Sequence, residues 1–339
     1  LSRQLGIAVV GAGYWGPNLV RNLHASEQWT LRAVVERDPQ RLERVLRLYP
    51  SVAGHAEIDA VLDDPSVDAI ALATPPRTHR DLAVRAIDAG KHILVEKPLA
   101  DNVTDARDVC ARAERAGVRL MTDHTFLYTG SVEKLRALRE GGELGKVYYI
   151  DSTRVNLGLF QESNVVWDLA PHDVSIINYV LDEIPESVAL QLGACVHSTI
   201  ADVAFLTMWY PSGSIAHVHL SWLSPVKVRR MTIAGSQKMA VWNDVEPTEK
   251  VYIYDKGVVL DPSSTTLQQQ MVAYRLGDLH VPLLDNREAL GKLVDDFARA
   301  IRTTSATRSD GPFGAGVVQV IEAALRSADR DGKRVAVAE

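Results

Sequence analysis

The sequence predicts an α/β protein: an N-terminal doubly wound parallel sheet of the Rossmann type, then an α+β domain built on a large, mostly antiparallel open sheet. Three observations carry this. Short β-type runs alternate with helical patterns through the first third of the chain. A GxGxxG segment separates the first of those runs from the first helix. After about Asp123 the alternation gives way to β-type runs divided by turn residues. Strand–helix alternation means parallel strands whose crossovers cover both faces of a sheet. Runs joined by tight turns suit antiparallel pairing instead.

In order, the first β-type runs are Gly6–Val10, Leu31–Val35, Ala69–Ala73, His92–Val95 and Arg119–Thr122. Helical patterns fall between them at Pro17–Ala25, Pro39–Leu48, Ile58–Leu62, Thr78–Ala89 and Val103–Ala116. Gly90 and Gly117 stand where helical patterns end, the place of a left-handed cap. A helix at Ser131–Arg139 then runs into Gly141 and Gly142, and a second is expected from near Asp168. The later β-type runs are Ser187–Val196, Ala201–Tyr210, Ser214–Trp222, Val228–Ala234, Met239–Asn243 and Lys250–Tyr254. Helical patterns return at Arg287–Arg302 and Gly316–Ser327. A chain of 339 residues is too long for one ordinary core, and the change of rhythm divides it into domains 1–122 and 123–339.

Composition narrows the function classes. With 46% hydrophobic and 24% charged residues the chain can bury sizeable cores. A net charge of −6 without a basic block argues against nucleic acid or an anionic membrane as the main partner. Two distant cysteines, Cys110 and Cys195, form no disulfide framework or metal-ligand spacing, so no metal is expected. The apolar runs are far shorter than the roughly 18 residues of a membrane span, and the chain enters a strand almost at once, leaving no room for a signal peptide. The expected location is cytoplasmic.

The chemistry begins at Gly11-Ala12-Gly13-Tyr14-Trp15-Gly16. Gly11 permits the tight turn, Gly13 lets backbone approach a pyrophosphate, and Gly16 lets the helix pack closely on the sheet. The helix start supplies free N–H groups and a positive dipole end. Set between a strand and a helix, the motif points to a dinucleotide. Glu36 ends the second run, where an acid binds the adenosine ribose; its charge repels a 2′-phosphate and favours NAD. Arg37 next to it has two readings, stacking on adenine or pairing with that phosphate. Thr74-Pro75-Pro76-Arg77-Thr78-His79 follows the third run, and alone is a rigid turn into a helix. The next run ends in Glu96-Lys97-Pro98, and strand ends on this edge face the cofactor. Tyr14, Trp15, Thr74, Pro75, Pro76, His79, Glu96 and Lys97 complete the expected cofactor set.

These segments, with Glu36-Arg37-Asp38-Pro39 and the lead-in Ala89-Gly90-Lys91-His92, together resemble the Gfo/Idh/MocA oxidoreductases. The resemblance implies that Lys97 is catalytic. It also implies an aspartate and a histidine one helical turn apart in the second domain, matched by Asp168 and His172 in Trp167-Asp168-Leu169-Ala170-Pro171-His172-Asp173. Asp168 suits a helix cap whose first turn tolerates Pro171, and i,i+4 spacing sets both side chains on one face. In oxidation, His172 is the natural base, since an unperturbed histidine titrates near 6.5, and Lys97 stabilises the developing alkoxide. Asp168 orients the imidazole or holds a sugar hydroxyl. Lys97 and His172 could exchange roles.

Thr122-Asp123-His124-Thr125, Gly145–Tyr149, Arg154–Gly158 and Tyr274–Asp278 resemble the branch acting on nucleotide-linked sugars, such as C3 of a UDP-hexosamine or its uronate. That branch implies Lys97, Arg154, Asn156, Asp168, His172 and Tyr274 around the substrate, with Arg154, Lys227, Arg229 and Arg230 available to a diphosphate. Alternatives are a ketoreductase of a keto-sugar or cyclitol, and a non-catalytic NAD-binding sensor. Retention of Lys97, Asp168 and His172 argues against the sensor.

One face of Ser214–Trp222 carries Ala216, Val218, Leu220 and Trp222; the other carries Ile215, His217, His219 and Ser221. Ala201–Tyr210 is apolar on both faces, with Val203, Phe205 and Trp209 opposite Leu206, Met208 and Tyr210. Such a face is too apolar to leave bare. By resemblance, a homodimer or homotetramer through this second-domain sheet is expected.

Overall fold

The computed structural model describes residues 3–158, 163–260 and 272–338. The chain divides into two compact units, Leu1–Thr129 with Arg287–Gln319, and Gly130–Asn286 with Val320–Glu339. The second predicted domain thus gives up part of its length: residues 287–319 pack with the unit that starts the chain.

The first unit opens with strand β1 (Leu5–Val10), helix α1 (Gly16–Ala25), β2 (Trp29–Val35), α2 (Pro39–Leu48), β3 (Ala53–His55) and α3 (Asp59–Leu62). It continues with β4 (Ala69–Leu72), α4 (His79–Asp88), β5 (His92–Glu96), α5 (Val103–Ala116) and β6 (Leu120–Asp123). The strands form one parallel sheet in the order β3-β2-β1-β4-β5-β6. Its middle is an unbroken apolar run, as a sheet covered on both faces requires: Ile7, Val9, Ile70, Leu72, Ile93 and Leu94 are wholly buried. The strand order reverses between β1 and β4, so their carboxyl ends form the switch point at which such sheets bind ligands. β3 lies outside the predicted strands because its three residues, Ala53, Gly54 and His55, carry no apolar pattern.

Local chemistry sets the boundaries. Asp38 caps α2 by accepting from the N–H groups of Gln40 and Arg41, with Pro39 in the first turn. Asn102 caps α5, and Gly117 ends it at φ 68°, in the left-handed region where glycine is favoured. Lys91 explains the start of β5: its buried ammonium donates to the carbonyls of Asp64 and Val67, at 2.8 Å each.

The second unit contains α6 (Gly130–Glu140), β7 (Val147–Leu157), α7 (Val165–Leu181), β8 (Ser187–Gly193), β9 (Val203–Trp209), β10 (Ile215–Ser221), β11 (Leu223–Gly235), β12 (Met239–Asn243), β13 (Val251–Leu260) and β14 (Val272–His280). Helices α8 (Ala289–Thr303) and α9 (Gly311–Ala328) and strand β15 (Val335–Ala336) end the chain. The nine-stranded sheet runs β14-β13-β12-β11-β7-β10-β9-β8-β15. Its pairs are antiparallel except β7 with β10, which is parallel. β7 sits near the middle of the sheet, although no run was predicted there. Its polar residues Asp151, Ser152, Thr153, Arg154 and Asn156 hide the alternation that a half-buried strand normally shows. Ala204, Leu206 and Met208 of β9 and Ala216, Val218 and Leu220 of β10 are buried on the side where α7 packs. Among the described residues no helix is long and apolar enough to cross a membrane.

Candidate active site

At the switch point, Gly11 adopts φ 97°, and a Cβ there would lie 2.5 Å from the carbonyl oxygen of Ala73. A Cβ at Gly16 would lie 2.0 Å from the carbonyl oxygen of Gly11. The fold itself therefore demands glycine at both positions. Gly13 is different: its Cβ would meet nothing nearer than an Arg41 nitrogen at 3.8 Å. No protein atom requires glycine there, as expected where backbone must let a pyrophosphate approach. The first turn of α1 then presents N–H groups on the same edge of the sheet.

Glu36 braces this turn. Its carboxylate accepts from the N–H of Ala12 at 2.7 Å through Oε2 and of Asp38 at 2.9 Å through Oε1. A carboxylate offers about four lone-pair sites, so two remain for a ribose diol. Arg37 pairs with Glu57 at 3.3 Å on the surface, and Tyr14 is 92% exposed. Together the glycine turn, Glu36 and the start of α1 fit an NAD molecule.

His79 belongs to the framework of this edge. Its ring is buried, with Nδ1 2.9 Å from the Pro98 carbonyl and Nε2 2.8 Å from the Thr74 carbonyl. Burial lowers its pKa. The imidazole thus ties the Thr74 turn to the residue after Lys97, while Pro75 and Pro76 lie exposed on that turn. As a buried link, His79 is not presented to a cofactor, which corrects its place in the expected contact set.

Lys97 follows β5 and is half-buried, joined to Pro98 by a cis peptide bond. Glu96 and Asp123 are register partners at the ends of β5 and β6. Asp123 is buried and accepts from Trp15 Nε1 at 3.0 Å and Thr125 Oγ1 at 2.5 Å. Trp15 is therefore held by an interior carboxylate. His124 is buried edge-on to Phe313 with ring centroids 5.7 Å apart, and its pKa falls to about 3, mainly through burial and then through the charge of Lys97. Asp123 and His124 are absent from the predicted site residues. Their signal was an ionisable pair of residues closing a parallel strand beside Glu96-Lys97-Pro98.

In the second unit, Asn164 caps α7 through the N–H groups of Val166 and Trp167. This corrects the assignment of the cap to Asp168, and Pro171 lies in the helix interior rather than its first turn. Asp168 and His172 remain one turn apart on a half-buried face, as i,i+4 spacing requires. Asp168 accepts from Trp222 Nε1 at 3.0 Å, a donor from the end of β10.

Arg154 lies on β7 beneath α7, 3% exposed, with its Nε 2.5 Å from Asp173, which also accepts from Ser152 Oγ at 2.7 Å. Its charge is matched in the interior, so it is not a surface cation for a diphosphate, contrary to expectation. Asn156, two residues along the same face of β7, is half-buried. Tyr274 lies apart from this group, 74% exposed on edge strand β14. Four strand spacings separate β14 from β7, about 19 Å. Lys227 and Arg230 are exposed, and Arg229 faces Asp244 at 3.4 Å.

Comparison with known proteins agrees with this geometry. Residues 5–124 match the oxidoreductase family with an NAD-binding Rossmann fold, and residues 132–241 match the GFO/IDH/MocA C-terminal domain. The chain is 27% identical over 229 residues to 2,7-anhydro-N-acetylneuraminate hydratase of Escherichia coli, an alignment covering 63% of this chain and 60% of that protein. It is 32% identical over 196 residues to inositol 2-dehydrogenase 1 of Mycolicibacterium vanbaalenii, covering 56% of each. The chain thus spans somewhat over half the length of these relatives. Among solved structures, UDP-N-acetylglucosamine 3-dehydrogenase of Acidithiobacillus ferrooxidans shares the fold at TM-score 0.80 and 24% identity, with 97% of this chain and 99% of that one covered. With both halves matched and an NAD-compatible turn at the switch point, the chain belongs to the Gfo/Idh/MocA oxidoreductase family.

Proposed function

We propose that the protein is an NAD-dependent dehydrogenase that oxidises a carbinol carbon of a sugar, and that the sugar is nucleotide-linked and oxidised at C3 as in a UDP-hexosamine. The observation that carries the reading is Lys97 at the carboxyl end of β5, on the same sheet edge as a glycine turn with open space over Gly13. Bound NAD supplies the hydride acceptor. The chain's own groups handle the oxygen and its proton. Lys97 Nζ donates a hydrogen bond to the substrate oxygen and stabilises negative charge as the proton leaves. His172 accepts that proton, and Asp168, held by Trp222 Nε1, orients the imidazole or a neighbouring sugar hydroxyl. Glu36 favours NAD over NADP by repelling a 2′-phosphate, while Arg37 is engaged by Glu57.

The finer substrate reading is supported by the segments Thr122–Thr125, Gly145–Tyr149 and Trp167–Asp173, which resemble the nucleotide-sugar branch. Turnover with NAD and NADP against UDP-sugars, free hexoses and inositols, with mass analysis of products, tests it. The expected result is NAD-linked loss of two hydrogens from a UDP-sugar. Oxidation of free inositol alone would overturn the substrate, and a clear NADP preference would overturn the role of Glu36.

A further inference from the structure

Trp222 is the single residue between β10 and β11, and backbone distant in sequence holds it on both sides. Its N–H donates to the Asp202 carbonyl at 3.0 Å, and its own carbonyl accepts from the N–H of Gly158, just past β7, also at 3.0 Å. The Ala201 carbonyl accepts from the N–H of Val165, the first residue of α7, at 2.9 Å. Consecutive carbonyls thus tie down Trp222 and the start of the helix that carries Asp168 and His172. This anchor is itself fixed, because the buried Asp202 carboxylate accepts from the N–H groups of Cys195 and Val196 at 3.0 and 2.8 Å. The indole is buried, and its Nε1–H, which can only donate, reaches Asp168 Oδ2 at 3.0 Å. A buried donor deprived of its acceptor costs desolvation free energy, so the interior selects the Asp168 rotamer that meets the indole.

Gly158 shows how closely the ring is seated. Its φ is not positive, so the backbone conformation does not call for glycine there. The indole does: a Cβ on Gly158 would lie 2.7 Å from Trp222 Cδ1, the carbon bonded to Nε1. Carbon atoms settle about 3.5–4.0 Å apart, so a side chain at this position would push the ring by roughly 1 Å. We propose that Trp222 is a positioning residue for the reaction: its indole N–H fixes the Asp168 carboxylate on the face of α7 that also carries His172, and Gly158 keeps the ring in place. The inference deepens the proposed function and rests on its assignment of Asp168. A half-buried carboxylate has several staggered rotamers open to it unless a partner selects one. A rigid ring held by backbone on both sides makes that selection before substrate arrives. An acceptor set in one place can orient an imidazole or a sugar hydroxyl, and misplacing such a group by about 1 Å can cost about 10²-fold in rate.

Trp222→Phe keeps a ring and removes the donor. It is expected to lower kcat by about 10- to 100-fold and to leave NAD affinity unchanged. In an Asp168→Ala background the same substitution should cost less than about twofold, because the carboxylate through which it acts is already gone. Gly158→Ala, which keeps the indole but displaces it, should lower kcat in the same coupled way. Magnetic resonance of the indole N–H groups of the six tryptophans gives a readout independent of turnover. One resonance should move to higher field in Asp168→Ala, and the same one should shift in Gly158→Ala. A Trp222→Phe loss that multiplies in full on Asp168→Ala would show a merely structural role and overturn the proposal, as would indole resonances unmoved by Asp168→Ala. If Trp222→Phe fails to fold, Gly158→Ala and the resonances decide it. Native turnover in Asp168→Ala would instead overturn the assignment of Asp168, leaving the hold of Trp222 on its carboxylate to be judged by the resonances alone.

Discussion

Lys97 and His172 are carried by different backbone, one by the end of a parallel strand and the other by a helix, and each can be removed without touching the glycine turn. His172→Ala is expected to lower turnover by about 10²–10⁴-fold, the range for losing a general acid–base group. Lys97→Ala is expected to cost about 10²–10³-fold by removing a donor to the developing oxyanion. NAD binding, measured by calorimetry, should survive both; near-native turnover in the double variant sinks the assignment. His124 gives a second test through stability. Its folded pKa of about 3 lies below the ordinary value of 6.5. The unfolded chain therefore binds the extra proton between those values, and stability is full above pH 6.5 and is lost as pH falls below it. By pH 5 the linked loss is about 2 kcal/mol. Urea unfolding at pH 7 and pH 5 checks it, because His124→Gln should shed about that much less than the native chain. Equal losses in both proteins would show that the ring is protonated in the fold.

Helix α8 shows how an element far along the chain completes the first unit. Leu290, Leu293, Val294, Phe297 and Ala298 form its buried face. Phe297 stacks on Trp29 of β2 with centroids 5.6 Å apart, and Trp29 Nε1 donates to the Val294 carbonyl at 2.7 Å. At its start Glu288 binds Arg21 of α1 through two hydrogen bonds of 2.6 and 2.8 Å, which hold its carboxyl down to about 2. Phe297 is wholly buried, so Phe297→Ala removes a large ring and leaves a cavity. It is expected to destabilise the first unit by about 3–5 kcal/mol in urea unfolding. The exposed pair is a weaker support, and Arg21→Ala should cost about 1 kcal/mol or less. A loss at Phe297 no larger than that at Arg21 would mean that α8 is an appendage of the first unit and not part of its core.

For the whole molecule, the uncovered face of the large sheet bears on assembly. Phe205 stacks on His219 with centroids 4.7 Å apart, and His217 Nδ1 lies 3.1 Å from Thr207 Oγ1. Phe205 and Ile215 are 41% and 42% exposed in the single chain. We propose that a second copy covers this face, giving a dimer or tetramer. Light scattering at micromolar concentration should give a mass at least twice 37.2 kDa, and His219→Asp should lower it by placing a charge on the contact. A single-chain mass for the native protein excludes the assembly.

The parts determined by sequence alone were those whose signal is local. β1, β4 and the centre of β5 are continuous apolar runs, and the spacing of Gly11, Gly13 and Gly16 is a backbone requirement written in adjacent residues. The i,i+4 spacing of Asp168 and His172 likewise needs only the pitch of a helix. Tertiary structure decided what depends on partners distant in sequence. Arg154 reads as an available cation until Asp173 is seen to match it in the interior. His79 reads as a cofactor contact until its ring is found between the carbonyls of Thr74 and Pro98. β7 is masked by polar residues whose burial is decided by α7 above them, and α8 finds its core against Trp29, far earlier in the chain. Asp123 becomes significant only when β6 pairs with β5 and sets it beside Glu96. Charge state and burial are properties of neighbours, and the chain chooses those neighbours only when it folds.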